Sequence, residues 1–200
     1  MSAVKRLDYS FDVEQLQSDL EVILQVGDIN RQGQLCLTYC PHKRHHPNGK
    51  LYQGAGSLIK RLVLKGEPLE WEMVDDPLDE SDFTDFIPDL KHLYVYQVYN
   101  ELKKQFHIGR MRIVTLNPTQ CLSWHKDVSQ RIHIPIEQNF GSMLVVDDQV
   151  HKLSVGNTYL VNTTLMHSAF NGGFEPRFNL LTSTVPTEQE KRDFFELYEK

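Results

Sequence analysis

The sequence predicts one mostly β domain with flanking helices. After residue 109, seven short runs rich in Val, Ile, Leu, Thr and Tyr are separated by turn residues at intervals of roughly 8 to 12 residues. No helical pattern interrupts these runs, and such a series is typical of a sandwich or a barrel. Helix signals occur towards both ends of the chain, so we expect helices to brace a β core.

Two helices and one strand are predicted before this β region. Residues 12–25 carry apolar side chains at helical spacing, and Gly27 ends the segment. Residues 34–40 alternate between the two faces, as a strand does. Residues 88–106 show helical spacing again, and Gly109 ends this second helix.

The rest of the chain supplies the strands and a short closing helix. Thr187 and Glu190 form a capping box, which begins the terminal helix. We therefore expect a single domain, in which an N-terminal part (1–109) packs on a core (110–185) and a helix (187–200) closes the chain. The predicted strands are residues 110–116, 120–124, 131–136, 142–146, 149–153, 158–162 and 177–184.

The composition indicates a folded chain in a reducing compartment. The 200 residues are 40% hydrophobic and 24% charged, which excludes the disordered and collagen-like classes. The apolar runs are too short to cross a bilayer, and the first ten residues are too polar for a signal peptide. Three cysteines fit free thiols better than a disulfide framework. We expect a cytoplasmic protein that does not bind membranes.

The charge argues against a nucleic-acid partner. The formal net charge is -6, whereas nucleic-acid binders need a dense field of Lys and Arg. Residues 41–66 carry six Lys or Arg and no acid, and residues 67–89 carry ten acids and no base. These segments are either solvated loops that partly neutralise each other, or a basic wall for an anionic substrate or partner beside an acidic loop.

His125 and Asp127 are the first candidates for metal binding, because residues two apart on a strand project from the same face. Alone, this pair is a weak signal. His167 follows in a polar segment before a Gly-Gly turn. Two imidazoles and one carboxylate form the facial triad that binds non-haem Fe(II) and leaves coordination positions open. A structural zinc site would be closed by four ligands, usually including thiolates, and only Cys121 lies nearby in sequence.

A rival metal site is a zinc knuckle formed by Cys36, Cys40, His42 and His45. The spacing of these residues is irregular for zinc pairs, and both cysteines lie on the predicted strand. The sequence therefore favours the His-Asp-His set.

Arg177 begins a largely apolar strand, where a guanidinium requires an anion. Either a protein carboxylate or the carboxylate of a bound ligand meets that need. Arg131 and His133 place another cation and an imidazole on one face of an earlier strand. The alternative for His133 is packing in the core against a backbone carbonyl.

Together these residues resemble the 2-oxoglutarate-dependent Fe(II) oxygenases, and within them the aspartyl/asparaginyl β-hydroxylases and their bacterial amino-acid hydroxylase relatives. The likeness covers roughly 70 residues. It implies a double-stranded β-helix, the jelly-roll fold that cupins share. The features that carry it are the run 118–125, His125-x-Asp127, Arg131-x-His133, Gly156, Asn162-Thr-x3-His167-Ser-x2-Asn171, and Arg177 ten residues after His167.

The resemblance also implies roles for single residues. Arg177 would bind the distal carboxylate of 2-oxoglutarate, and Arg131 and His133 would lie near this cosubstrate. Two positions depart from the family pattern: Thr119 replaces a glycine that is common after the proline, and Val114 replaces a hydroxyl that some relatives offer to the cosubstrate. The implied Fe(II) ligands are His125, Asp127 and His167.

The sequence thus predicts a dioxygenase that uses Fe(II), 2-oxoglutarate and O2 to hydroxylate an unactivated C–H bond, with succinate and CO2 as co-products. The substrate would be a free amino acid or a residue of a peptide or protein, and the short chain favours a small molecule. Candidate substrate residues are Arg44, Tyr52 and Asn179. Two alternatives stay open: a non-catalytic jelly-roll sensor or interaction protein that binds metal, and a different metal-dependent cupin enzyme. The sequence leaves the oligomeric state open.

Overall fold

Two antiparallel sheets enclose the interior of the computed structural model, which describes residues 2–27, 29, 33–41, 60–63, 70–73 and 78–196. Short 3-10 turns at Glu80–Asp82 and Pro88–Leu90 lie between the longer elements. In chain order the elements are β1 (Val4–Ser10), α1 (Val13–Val26), β2 (Gln34–Cys36), β3 (Thr38–Tyr39), β4 (Lys60–Val63), β5 (Glu70–Met73), β6 (Asp85–Phe86), α2 (Tyr94–Lys103), β7 (Ile108–Leu116), β8 (Arg131–Glu137), β9 (Ser142–Val146), β10 (Gln149–His151), β11 (Asn157–Val161), β12 (His167–Asn171), β13 (Arg177–Thr184) and α3 (Glu188–Glu196).

The larger sheet has six strands in the order β1-β11-β8-β13-β7-β2, and the smaller one has three in the order β10-β9-β12. Neighbouring strands within each sheet are antiparallel, and most are distant in sequence. This arrangement of two facing sheets with crossing connections confirms the predicted jelly roll. The β3-β6 and β4-β5 pairs are separate two-stranded sheets.

The two faces of the six-stranded sheet bury different side chains. Its inner face, which looks towards the smaller sheet, contributes Leu116 and Val161 to a cluster with Leu144 and Val146 of β9. Paired residues on antiparallel strands share a face. Arg177 pairs with Leu116, so the side chain of Arg177 belongs to the inner face as well.

The outer face of the six-stranded sheet packs against α1 and α2. Its apolar residues, among them Ile113, Ile132 and Leu180, form one cluster with the buried stripes of the two helices. The helices therefore brace the β core from outside, as the sequence predicts. No helix among the described residues is both long and apolar enough to cross a membrane.

A buried carboxylate joins the two helices. Asp19 of α1 accepts a 2.6 Å hydrogen bond from the backbone N–H of Val95 in the first turn of α2. Leu93, the N-cap residue of α2, provides no side-chain cap, so Asp19 satisfies an otherwise free N–H group. Burial raises the pKa of Asp19, and the hydrogen bonds from the α2 backbone oppose that rise.

Helix predictions agree with the structure at both ends of the chain but not in the middle. The helix predicted for 12–25 is α1, and Thr187 and Glu190 form the expected capping box before α3. The helix predicted for 88–106 is divided, because Leu93 adopts an extended conformation between the 3-10 turn and α2.

Strand predictions agree for β7, β8, β9, β10, β11 and β13, within one to two residues at their ends. The strand predicted for 34–40 divides into β2 and β3. The prediction for 120–124 is wrong, since Cys121 and His125 form only isolated bridges to β12. Strand β12 itself was not predicted, because its alternation buries polar residues such as His167 and Asn171.

Candidate active site

Three side chains converge where β12 begins. His125 and Asp127 lie between β7 and β8, and His167 is the first residue of β12. The Nε2 atom of His167 lies 3.5 Å from Asp127 Oδ2, and that of His125 lies 4.0 Å from Asp127 Oδ1. One ligand atom from each residue lies within 4.8 Å of the other two. The three predicted metal ligands are therefore close enough together to share one ion.

Backbone pairing places the three residues. His125 and His167 exchange two hydrogen bonds, of 3.1 Å from the N–H of His125 and 2.8 Å from the N–H of His167. The N–H of Asp127 donates to the carbonyl of Thr163 at 2.8 Å. The ligand-bearing segment is thus fixed to β12 and to the turn that precedes it, which brings together residues 42 positions apart in the chain.

Both imidazoles are oriented by backbone carbonyls. The Nδ1 atom of His125 lies 2.7 Å from the carbonyl oxygen of Ser123, and that of His167 lies 3.0 Å from the carbonyl oxygen of Leu165. A carbonyl oxygen only accepts, so Nδ1 carries the proton in both rings and Nε2 keeps its lone pair when the ring is neutral. This is the state that a divalent cation requires of an imidazole ligand.

The carboxylate of Asp127 has a strong partner in Arg131, whose Nε donates to Asp127 Oδ2 at 2.7 Å. Burial opposes a positive charge on His167, but the hydrogen bond and negative charge of Asp127 outweigh burial and raise the pKa of His167. A bound cation would take the place of that proton.

Arg177 is a buried cation for which the described residues supply no counter-ion. Its side chain is only 8% exposed, and its Nε has no hydrogen-bond partner. Burial lowers the pKa of Arg177 to about 10, and no acid in the described part of the chain counteracts this effect. A buried guanidinium in this state is suited to the carboxylate of a ligand. The sequence leaves open whether the anion beside Arg177 is a protein carboxylate or the carboxylate of a ligand. The described residues supply no protein carboxylate, which favours the ligand.

His133 lies close enough to this arginine and to the triad for their charges to act on its imidazole. Burial, followed by the positive charges of Arg177, His167 and Arg112, lowers the pKa of His133 to about 3. Its Nε2 is buried and has no hydrogen-bond partner. His133 is therefore neutral near pH 7 and offers a free polar atom to the interior.

Of the three candidate substrate residues, the structure describes Asn179. Asn179 is 5% exposed, lies two residues after Arg177 on the same face, and accepts a long 3.4 Å hydrogen bond from Gln138. Val114 pairs with Asn179 on the inner face. Arg44 and Tyr52 lie outside the described residues.

Only two of the four residues of the rival zinc site lie in the described part of the chain. Cys36 and Cys40 are buried free cysteines, and His42 and His45 lie outside the described residues. Burial raises the pKa of the Cys36 thiol, which disfavours the thiolate that zinc needs.

Sequence reasoning missed two further arginines of the interior. Arg110 is buried in an ion pair with Glu80, with 2.7 Å between Nη2 and Oε1. Arg112 is 2% exposed and donates to Gln34 and Ser183. The signal was present in the sequence, because two arginines two residues apart on a strand share one face.

The turn at Thr119 suits the glycine of the family pattern better than the threonine that this chain has. Thr119 has a φ of +63°, a region that a β-branched residue rarely adopts. The N–H of Gln120 donates to the carbonyl of Asn117 at 3.2 Å and closes a turn with Pro118 at its second position. A proline followed by a positive φ is the pattern of a type II turn, which favours glycine at the third position.

We predict that Thr119→Gly stabilises the protein. The side chain is exposed, so no packing is lost. Relief of the left-handed backbone exceeds the entropic cost of glycine by about 0.5–1 kcal/mol, which raises Tm by roughly 1–4 °C. The control is Asp147→Gly, at the other non-glycine position with positive φ (+57°) among the described residues, where aspartate is better tolerated. A fall in Tm for Thr119→Gly in calorimetry would contradict this backbone geometry.

Comparison with known proteins agrees with the geometry of the site. Residues 91–186, which include the triad and Arg177, match the family model described as aspartyl/asparaginyl beta-hydroxylase. Residues 91–186, just under half of the chain, are therefore similar to this family. A beta-hydroxylase is an oxidoreductase, and the three converging side chains of the triad suit Fe(II). No curated protein matches the chain significantly in sequence.

A solved structure supports the fold of the chain. An oxidoreductase of the 2OG-Fe(II) oxygenase family from Burkholderia pseudomallei superposes with a TM-score of 0.53 and 11% identity, over 92% of this chain and 84% of that one. The viral collagen prolyl hydroxylase of Paramecium Bursaria Chlorella virus-1 has a TM-score of 0.49 and 7% identity, over 93% and 97% of the two chains. At these identities, the first likeness establishes the fold alone.

Proposed function

We propose that this chain is a dioxygenase that hydroxylates an unactivated C–H bond of an amino acid, either free or as a residue of a peptide or protein. In the overall reaction, the substrate, 2-oxoglutarate and O2 give the hydroxylated product, succinate and CO2. One oxygen atom enters the product and the other enters succinate. The observation that supports this proposal most directly is the buried Arg177 on the inner face, for which the described residues supply no acid.

The donor set fits Fe(II) better than a structural zinc ion. His125 and His167 would each ligate through Nε2, and Asp127 would ligate through a carboxylate oxygen. No thiolate belongs to the cluster found among the described residues. Three protein ligands leave coordination positions for 2-oxoglutarate and O2, and Fe(II) bound there supplies the chemistry of O2 activation.

The inner face fits a dicarboxylate. Arg177 would bind the distal carboxylate through its guanidinium, whose geometry suits two parallel hydrogen bonds. Neutral His133 would present Nε2 to the cosubstrate without adding a charge. Asn179, beside Arg177, is the remaining polar candidate for contact with cosubstrate or substrate. Since Val114 offers no hydroxyl, Arg177 would hold the distal carboxylate without that helper.

The test is turnover of 2-oxoglutarate by the purified full chain. We expect succinate to form in the presence of Fe(II), ascorbate, O2 and 2-oxoglutarate, slowly without substrate and faster with the correct one. A screen of free amino acids and short peptides for a mass gain of about 16 Da, one oxygen atom, identifies the substrate. Metal binding without any succinate above a metal-free control would favour the non-catalytic sensor instead.

A further inference from the structure

Arg131 connects the Asp127 carboxylate to the hydroxyl of Ser183. Its Nε donates to Asp127 Oδ2 at 2.7 Å, and its Nη1 donates to Ser183 Oγ at 2.6 Å. Arg131 is 8% exposed and Ser183 is fully buried. Hydrogen bonds to a buried guanidinium are strong and directional, so these two contacts fix the plane of the guanidinium.

Ser183 is itself fixed by three neighbouring strands. It pairs with Arg131 across the β13-β8 contact. On the other side, Nη2 of Arg112 on β7 donates to the same hydroxyl oxygen at 3.2 Å. One small oxygen therefore accepts from two guanidinium groups and uses both of its lone pairs. Its position depends on the six-stranded sheet and not on the loop that carries the metal ligands.

We propose that Ser183 is a positioning residue for the metal site: through Arg131, it holds Asp127 so that Oδ2 is engaged by the guanidinium and Oδ1 remains for the metal ion. The inference rests on the proposed function, because it presupposes a metal ion at the triad. Partners of a ligating carboxylate set its orientation and the number of oxygens it offers. A carboxylate that offers one oxygen leaves one more coordination position open than a bidentate one.

This assignment differs from the role that the family resemblance implies for Arg131. A residue that binds 2-oxoglutarate should change the affinity for 2-oxoglutarate when it is altered. A residue that orients Asp127 should change the affinity for the metal, while Arg177 maintains the affinity for the cosubstrate. The two roles therefore predict opposite patterns in two separate measurements.

The experiment compares Ser183→Ala with the wild-type full chain. Mn(II) affinity is measured by calorimetry without 2-oxoglutarate, and the KM for 2-oxoglutarate is measured from succinate at saturating Fe(II). We expect Mn(II) binding to weaken about 10- to 100-fold, as for other residues that support metal ligands, and the KM to stay within about twofold of wild type, because Arg177 is unchanged. Ser183→Thr keeps the hydroxyl and should restore the metal affinity.

Thr182→Val is the matched control. Thr182 is the preceding residue of β13, is equally buried, points to the opposite face, and has a hydroxyl without a hydrogen-bond partner. It should bind Mn(II) as the wild type does. The inference is overturned if Ser183→Ala keeps the wild-type Mn(II) affinity, or if Thr182→Val loses as much of it. If the wild type itself neither binds Mn(II) nor forms succinate, the proposed function fails instead.

Discussion

Replacement of Asp127 by alanine is expected to abolish metal-dependent turnover. The change removes the only carboxylate of the triad and leaves His125 and His167 to hold the ion alone. It also leaves the buried guanidinium of Arg131 without its anion. We expect metal affinity and succinate formation to fall by more than the roughly 10- to 100-fold that loss of a supporting residue costs.

Two measurements check this prediction, namely Mn(II) calorimetry and succinate formation at increasing Fe(II). Asp8→Ala is the control, since it removes an exposed aspartate of the edge strand β1 with the same change in charge. It should behave as wild type in both measurements. Retention of metal binding and turnover by Asp127→Ala would mean that two imidazoles suffice, and the three-ligand site would then be wrong.

Arg177→Leu is expected to weaken the binding of 2-oxoglutarate without lowering the stability of the fold. Loss of the partner of a buried carboxylate costs about 2–5 kcal/mol, which corresponds to a rise in the KM for 2-oxoglutarate of roughly 30-fold to several thousandfold. Mn(II) affinity should not change, because no hydrogen bond or ion pair among the described residues joins Arg177 to the triad. The Tm should stay constant or rise, since an uncompensated buried charge is replaced by an apolar side chain.

The combination of these outcomes identifies the role of the arginine. A structural arginine in an ion pair would lower Tm when removed and would leave the KM near the wild-type value. Arg6→Leu, on the exposed side of β1, controls for the loss of one positive charge and should change neither quantity. A KM within twofold of wild type in Arg177→Leu would exclude a slot for 2-oxoglutarate at this position.

Local patterns in the sequence were sufficient for most elements of the fold. Helix α1 and strands such as β7 and β8 were predictable because their periodicity and end signals are local. Strand β12 was missed because it buries polar residues, so that its hydrophobic alternation is weak. The break before α2 was missed because the extended backbone of Leu93 depends on how α2 packs on α1 and receives its cap from Asp19.

The sequence by itself determined the set of candidate metal ligands and the presence of an arginine that needs an anion, since spacing and residue type are properties of the chain. Only the tertiary structure decided that Arg131 holds Asp127, that Ser183 and Arg112 support Arg131, and that Arg177 has no acid beside it among the described residues. These facts depend on which strands become neighbours. The order β8-β13-β7 brings together residues up to 76 positions apart, and no local pattern encodes such contacts.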